Sequence, residues 1–196
     1  DSFFGYHNLQ RFTSVVNDHL QPWWFFGPVM LVAALPFTPY LLLGLARVPR
    51  SRIAPEHSLH QFAACWLLAV LLLFTTAATK LPSYWLPATP AAALLVAQAT
   101  VGSSRWQRMA WGTCLALIAV LAAGFWLGSL WVPLIEDPEM PTLSVDLLAS
   151  GLLKWAAVWF SAAAVLGGGL LLQPRAVAQA LLAMQGCLLG FHLTAL

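Results

Sequence analysis

The stretch Phe62-Ala-Ala-Cys-Trp-Leu-Leu-Ala-Val-Leu-Leu-Leu-Phe-Thr-Thr-Ala-Ala-Thr79 decides the fold class. No charged residue interrupts it, and its length approaches the ~20 residues an α-helix needs to cross hydrocarbon. It runs straight into Lys80-Leu-Pro-Ser-Tyr-Trp-Leu-Pro-Ala-Thr-Pro90, after which a second apolar stretch begins. Two such runs joined by so short a link make a membrane hairpin. The link itself is unusual, because a cation, a phenol (Tyr84) and the prolines Pro82, Pro87 and Pro90 stand close to where the hydrocarbon ends. A lysine there is costly unless water, headgroups or a bound anion solvates it.

Composition extends this reading to the whole chain. Of 196 residues, 60% are hydrophobic and 8% charged, and the mean hydropathy is +0.78. A soluble domain carries about 25% charged residues, so an all-α integral membrane protein is expected. Nucleic-acid binding would need a basic surface that this chain lacks. Cys65, Cys114 and Cys187 lie in apolar runs without a C-x-x-C spacing. They read as small buried hydrophobes rather than metal or disulfide partners. The chain opens on Asp1 without a signal-peptide pattern and stops at Leu196 within an apolar stretch. We therefore expect a fragment of a larger polytopic protein.

About six apolar segments are long enough to span a bilayer: residues 24–46, 62–79, 84–101, 109–128, 147–172 and 176–196. Residues 1–23 precede them as a loop with an interfacial helix. Pro28, Pro36 and Pro39 fall in the first segment, for which a kinked helix is expected rather than a broken one. Arg47, Arg50, Arg52, Arg105, Arg108 and Arg175 follow alternate spans, which places those loops in the cytoplasm. The opening loop, the Lys80–Tyr84 turn and the acidic loop Glu136-Asp137-Pro138-Glu139 then face the other side, with Lys154 near the outer end of its span. Trp23, Trp24, Trp85, Trp126 and Trp131 fit an aromatic belt. Gly167-Gly168-Gly169 and the alanines around Ala91 and Ala162 suit close helix contacts.

The opening loop reads Phe3-Phe4-Gly-Tyr6-His7-Asn8-Leu-Gln10-Arg11-Phe12, and later Asn17-Asp18-His19-Leu-Gln-Pro22-Trp23-Trp24. If residues 6–12 are helical, His7 and Arg11 share a face at i,i+4. Either this is an amphipathic interfacial helix with a snorkelling arginine, or its cation serves a site. His7 and His19 offer imidazole to a divalent metal, with Asp18 nearby, or hydrogen bonds at the interface; the spacing matches no strong metal motif. His57, His60 and His192 cannot join them on the derived topology. No Ser/His/Asp arrangement and no P-loop is present. Arg11, Lys80 and Tyr84 remain on the outer face. They suit a lipid-linked phosphate, with a planar fork, a point charge and a hydroxyl meeting its oxygens, or else serve as interfacial anchors.

The spelling of these stretches, with Phe-Phe-Gly-Tyr-His-Asn-Leu-Gln-Arg-Phe, His19-Leu-Gln-Pro-Trp-Trp and Lys80-Leu-Pro-x-Tyr-x-Leu-Pro-x-x-Pro, resembles the bacterial aminoarabinose–lipid A transferases. These are related to the protein O-mannosyltransferases among the GT-C membrane glycosyltransferases. The resemblance runs from Phe3 to about Leu95, and it corresponds to the C-terminal part of the family's membrane domain. It implies a GT-C fold and an enzyme that moves a sugar from a polyprenyl-phosphate carrier to a lipid, glycan or protein acceptor. The reaction would take place on the outer face of the bacterial inner membrane. It implies lipid-phosphate contacts for Arg11, Lys80 and Tyr84, and loop-ordering or metal-holding roles for His7 and His19. The family's catalytic carboxylate is expected upstream of this chain, so no catalytic residue is assigned and the fragment alone should be inactive. Asp18, Glu136 and Asp137 match no catalytic motif. A polytopic transporter or lipid flippase subunit that holds a phosphate headgroup is the alternative, and a non-catalytic scaffold a third. Transporters usually concentrate polar groups at the midplane, and few occur here.

Overall fold

A computed structural model describes residues 21–48, 58–101, 104–136, 140–170, 184–187 and 190. The elements are helical: α1 (Phe26–Ala33), α2 (Thr38–Arg47), α3 (Ser58–Thr75), a 3-10 helix (Pro82–Ala88), α4 (Thr89–Ala99), α5 (Arg105–Trp126), α6 (Gly128–Trp131), a short 3-10 turn (Val132–Leu134), α7 (Leu143–Ala149) and α8 (Leu152–Leu170). Among the described residues, α3, α5 and α8 are each long and apolar enough to cross a membrane. The chain divides into two compact units, Asp1–Gly102 and Ser103–Leu196.

In the first unit the expected kinked helix over 24–46 is instead a pair, α1 and α2, bent by 118°. Pro36 and Pro39 explain the break. Neither supplies an amide donor, and the ring of a proline clashes with the preceding turn. Phe37 N–H bonds back to Ala34 at 2.8 Å and the Thr38 hydroxyl to Leu31 at 2.7 Å, so the turn satisfies its own backbone. The bent pair still travels the length of α3. Phe26, on α1, meets Phe74 near the last turn of α3, whereas Gly44, on α2, accepts a hydrogen bond from His60 near its first turn. The chain therefore passes from one end of the unit to the other between these residues.

The third expected segment, 84–101, is shortened in the same way. Pro82 and Pro87 hold its start in a 3-10 helix, and α4 has only 11 residues, with Pro90 in its first turn. At 1.5 Å per residue it rises about 16 Å, roughly half a hydrocarbon layer.

Small residues let these elements approach. Ala63 and Ala64 of α3, Ala88 of the 3-10 helix, and Ala91 and Ala92 of α4 are buried together with Leu41, Leu67, Trp85 and Leu95. In lipid, where apolar burial between helices gains little, such close van der Waals contact is what joins them. At Gly44 the approach reaches backbone, because a Cβ there would stand 2.7 Å from the Leu95 carbonyl oxygen.

Polar ties close the same end of the unit. His60 Nε2 donates to the Gly44 carbonyl at 2.9 Å, which fixes the tautomer with the proton on Nε2. Arg47 donates to the carbonyls of Ala99 (3.0 Å) and Val101 (3.5 Å), a cationic cap on the C-terminal end of α4 that also suits its dipole. Removing it by Arg47→Ala should destabilise the full-length protein by about 1–3 kcal/mol, the worth of charged hydrogen bonds. Arg47→Lys should recover part of that in a thermal melt, and equal melts for all three would refute the cap.

In the second unit, α5 starts at Arg105 rather than near residue 109. Ser104 and Gln107 form a capping box, with Gln107 N–H to Ser104 Oγ at 3.3 Å and Ser104 N–H to Gln107 Oε1 at 2.7 Å. The fifth expected segment divides at Ser150-Gly151. Gly151 takes φ 72, a left-handed stop for α7, and its carbonyl accepts from Lys154 N–H to begin α8. α5 and α8 pack through Phe125 and Phe160, with ring centroids 5.1 Å apart. Trp126 Nε1 also donates to Ser161 Oγ at 3.1 Å. Of the three successive glycines only Gly167 meets close neighbours among the described residues, Leu115 and Met184. The three cysteines are free thiols, and Cys65 is exposed while Cys114 and Cys187 are buried. The expected sixth span, 176–196, lies almost wholly outside the described residues.

Candidate functional site

The unusual chemistry gathers where α3 turns into the 3-10 helix. α3 closes its own C-terminal carbonyls: Thr76 N–H bonds to Leu72 O at 3.2 Å and Ala77 N–H to Phe74 O at 3.3 Å. The Thr76 hydroxyl donates to Leu73 O at 2.7 Å. The chain then extends to Leu81 (φ -119, ψ 144), and Pro82 starts the 3-10 helix with φ already suited to it. This short path folds Lys80 back over the end of α3.

Lys80 is 8% exposed, and Nζ donates to the Ala77 carbonyl at 2.8 Å. The negative end of the α3 dipole stands beneath it, which offsets part of the cost of burying a cation. An ammonium carries three donors, and this single bond is the one Lys80 makes among the described residues. The described part of its unit, residues 21–48 and 58–101, contains no Asp or Glu. The positive charge thus has a carbonyl and a dipole for company, and no anion from the described residues.

Tyr84 is half-buried four positions on. Its ring lies on Phe74 with centroids 4.8 Å apart and planes 30° from parallel. Its hydroxyl makes no hydrogen bond with a described residue. Phe26 (3% exposed) packs behind Phe74 at 6.4 Å, and Phe25 meets Phe26 edge-on at 5.3 Å. Trp85, next in sequence, points into the core at 5% exposure. One turn therefore carries a buried ammonium with a single partner among the described residues and a phenol whose hydroxyl has none among them.

Of the residues expected at this site, the structure brings Lys80 and Tyr84 into one turn. Arg11, His7 and His19 lie outside the described residues. Among the described residues no group of three or more His, Cys, Asp or Glu could hold a metal. Glu136 is exposed in the second unit, and Asp137 is outside the described residues. Lys154 is exposed in the first turn of α8. Sequence reasoning missed Phe74, whose position ten residues before Tyr84 gave no sign of a ring contact.

No protein-family model matches the chain. Among curated proteins it is 34% identical over 166 residues to an undecaprenyl phosphate-alpha-4-amino-4-deoxy-L-arabinose arabinosyl transferase of Erwinia tasmaniensis, covering 80% of this chain and 29% of that protein. The enzyme so named from Sodalis glossinidius is 31% identical over 169 residues, with 80% and 29% covered. The one from Pseudomonas aeruginosa is 35% identical over 116 residues, with 59% and 20% covered. A crystal structure of ArnT from Cupriavidus metallidurans bound to undecaprenyl phosphate superposes with a TM-score of 0.71 at 23% identity. It covers 99% of this chain and 34% of that one. The expected polytopic GT-C fold is thus met, although the chain spans under a third of the length of the Erwinia tasmaniensis protein. By sequence and by fold, the chain is a homologue of the undecaprenyl phosphate-alpha-4-amino-4-deoxy-L-arabinose arabinosyl transferases, corresponding to a part of them.

Proposed function

We propose that the chain is the part of a bacterial inner-membrane glycosyltransferase that receives the phosphate of a polyprenyl-phosphate sugar donor. The sugar would pass to a lipid A, glycan or protein hydroxyl on the extracytoplasmic face. The observation that carries the proposal is the buried Lys80 ammonium, which has one carbonyl partner and no carboxylate among the described residues. A polar group is rarely buried without partners, and a phosphate would supply them. Tyr84 adds a hydroxyl from the same turn, and Arg11 is proposed as the third contact. The relatives named above are arabinosyl transferases, which supports a donor of this kind.

In the reaction so proposed, a carboxylate elsewhere in the full protein activates the acceptor for attack at the anomeric carbon. The bond to the carrier phosphate breaks, and its electron pair stays on phosphate oxygen. Lys80 would meet that growing negative charge from a fixed, dehydrated position, where electrostatic stabilisation is strongest.

Among the described residues no observation favours the transporter alternative. In each long helix the ionisable Lys, Arg and His residues fall in the first turn: His60 in α3, Arg105 and Arg108 in α5, Lys154 in α8. A transport path through the midplane would need them deeper.

Tyr84→Phe tests the site while keeping its shape. Loss of one hydrogen bond to a charged oxygen should cut kcat/KM for a radiolabelled donor about tenfold or more in the full-length protein. Unchanged transfer would remove Tyr84 from the site.

A further inference from the structure

One residue stands behind both polar groups of the turn. The ring of Phe74 carries the Tyr84 ring at 4.8 Å. The carbonyl of Phe74 accepts from Ala77 N–H at 3.3 Å, and the Ala77 carbonyl in turn accepts from Lys80 Nζ at 2.8 Å. Phe74 itself is set by the last turn of α3 and by buried Phe26 behind it. Tyr84, in contrast, makes no other ring contact among the described residues. It belongs to a 3-10 helix, whose hydrogen bonds are weaker than those of an α-helix, and its hydroxyl is tied to no described residue.

We infer that Phe74 is the positioning residue of this site: its ring fixes the direction of the Tyr84 phenol, and its backbone fixes the carbonyl that holds Lys80. The inference rests on the phosphate-site reading above. Offset aromatic contact of this kind contributes modestly, and a phenol freed from it must be ordered again each time a ligand binds. The penalty therefore falls on donor affinity. Substitutions of the ring leave the carbonyl in place, so the Lys80 arm is untouched and the effect should run through Tyr84 alone.

The test uses the full-length protein, with undecaprenyl phosphate as the binding probe and a radiolabelled sugar donor for kinetics. Phe74→Leu, which keeps apolar bulk and helix, should weaken undecaprenyl phosphate and raise the donor KM by about 3- to 10-fold. Under this inference kcat, membrane insertion and abundance stay near wild type. Phe74→Tyr keeps the ring and should restore binding. In a Tyr84→Phe background Phe74→Leu should add nothing, because the hydroxyl it positions is already gone. Phe74→Met serves if the leucine variant is poorly expressed. Wild-type binding by Phe74→Leu beside a defective Tyr84→Phe would overturn the positioning role and leave the phosphate site standing. A fully additive double variant would likewise overturn it, by showing that the ring acts otherwise. If Lys80→Met and Tyr84→Phe both bound the probe as wild type does, the phosphate-site reading would fall and the inference with it.

Discussion

Lys80→Met in the full-length protein should lower sugar transfer by about 100-fold, the usual effect of deleting one preorganised donor to a developing oxyanion. Methionine nearly matches the aliphatic bulk of lysine, so little packing is lost. The only hydrogen bond removed from the described fold is the one to Ala77 at 2.8 Å. That carbonyl lies just past the end of α3, where Thr76 and Ala77 already satisfy the last turn. Burying a charge with no anion among the described residues is a cost to the fold, and the methionine variant is relieved of it. Membrane insertion and thermal stability should therefore equal or exceed wild type while transfer collapses. Lys80→Arg should retain part of the activity, since it keeps the charge but spreads it over a larger planar group. Arg11→Ala should also reduce transfer strongly if its side chain reaches the same phosphate. Radiolabelled transfer at matched protein levels measures all three.

The second large effect is on stability. Gly44→Val should greatly deplete the folded protein, and Gly44→Ala should already destabilise it by about 1–3 kcal/mol, as overpacking does. At this position the added carbon would meet backbone, with the Leu95 carbonyl oxygen at 2.7 Å and its carbon at 3.1 Å. A side chain could rotate aside; backbone of α4 cannot. α2 would have to move away, carrying with it the His60 bond to Gly44 and the Arg47 cap on Ala99. Gly112→Ala is the matching control, because a Cβ there meets nothing within 4 Å and alanine is favoured over glycine within a helix by about 1 kcal/mol. Thermal melts of the full-length protein in detergent should rank Gly112→Ala at or above wild type, then Gly44→Ala, then Gly44→Val. A wild-type melt for Gly44→Val would show that α2 and α4 do not touch as described.

The apolar runs made the long helices legible. Residues 62–79 became α3, which runs Ser58–Thr75 and so lies four positions N-terminal to the expected run at each end. Ser104 and Gln107 also announced the start of α5, but a capping box is a polar signal and the hydrophobic pattern begins only at Met109. The proline-containing stretches were harder. Pro36 and Pro39 allowed a kink or a break, and only the tertiary contacts of Phe26 and Gly44 at opposite ends of α3 decide between them. The Ser150-Gly151 stop was hidden because both flanks are apolar, and a left-handed glycine leaves no periodic trace.

The candidate site was half legible. A lysine and a tyrosine in a proline-rich turn stood out from their neighbours, and their order in sequence sufficed to bring them together. Phe74 did not stand out, because aromatic residues are common at helix ends and its contact with Tyr84 exists only once the 3-10 turn folds back. Arg47 carried a different message. It was counted for the side of the membrane, while its guanidinium also caps α4, a role that depends on where residues 99–101 end in space.

The most direct test is equilibrium binding of undecaprenyl phosphate to the full-length protein in lipid nanodiscs, wild type against Lys80→Met. The phosphate-site account predicts that the substitution weakens binding at least tenfold, equivalent to about 1.4 kcal/mol, with the loss largely kept as ionic strength rises, because salt screens a buried charge little. Equal affinity for the two proteins at low salt would contradict it.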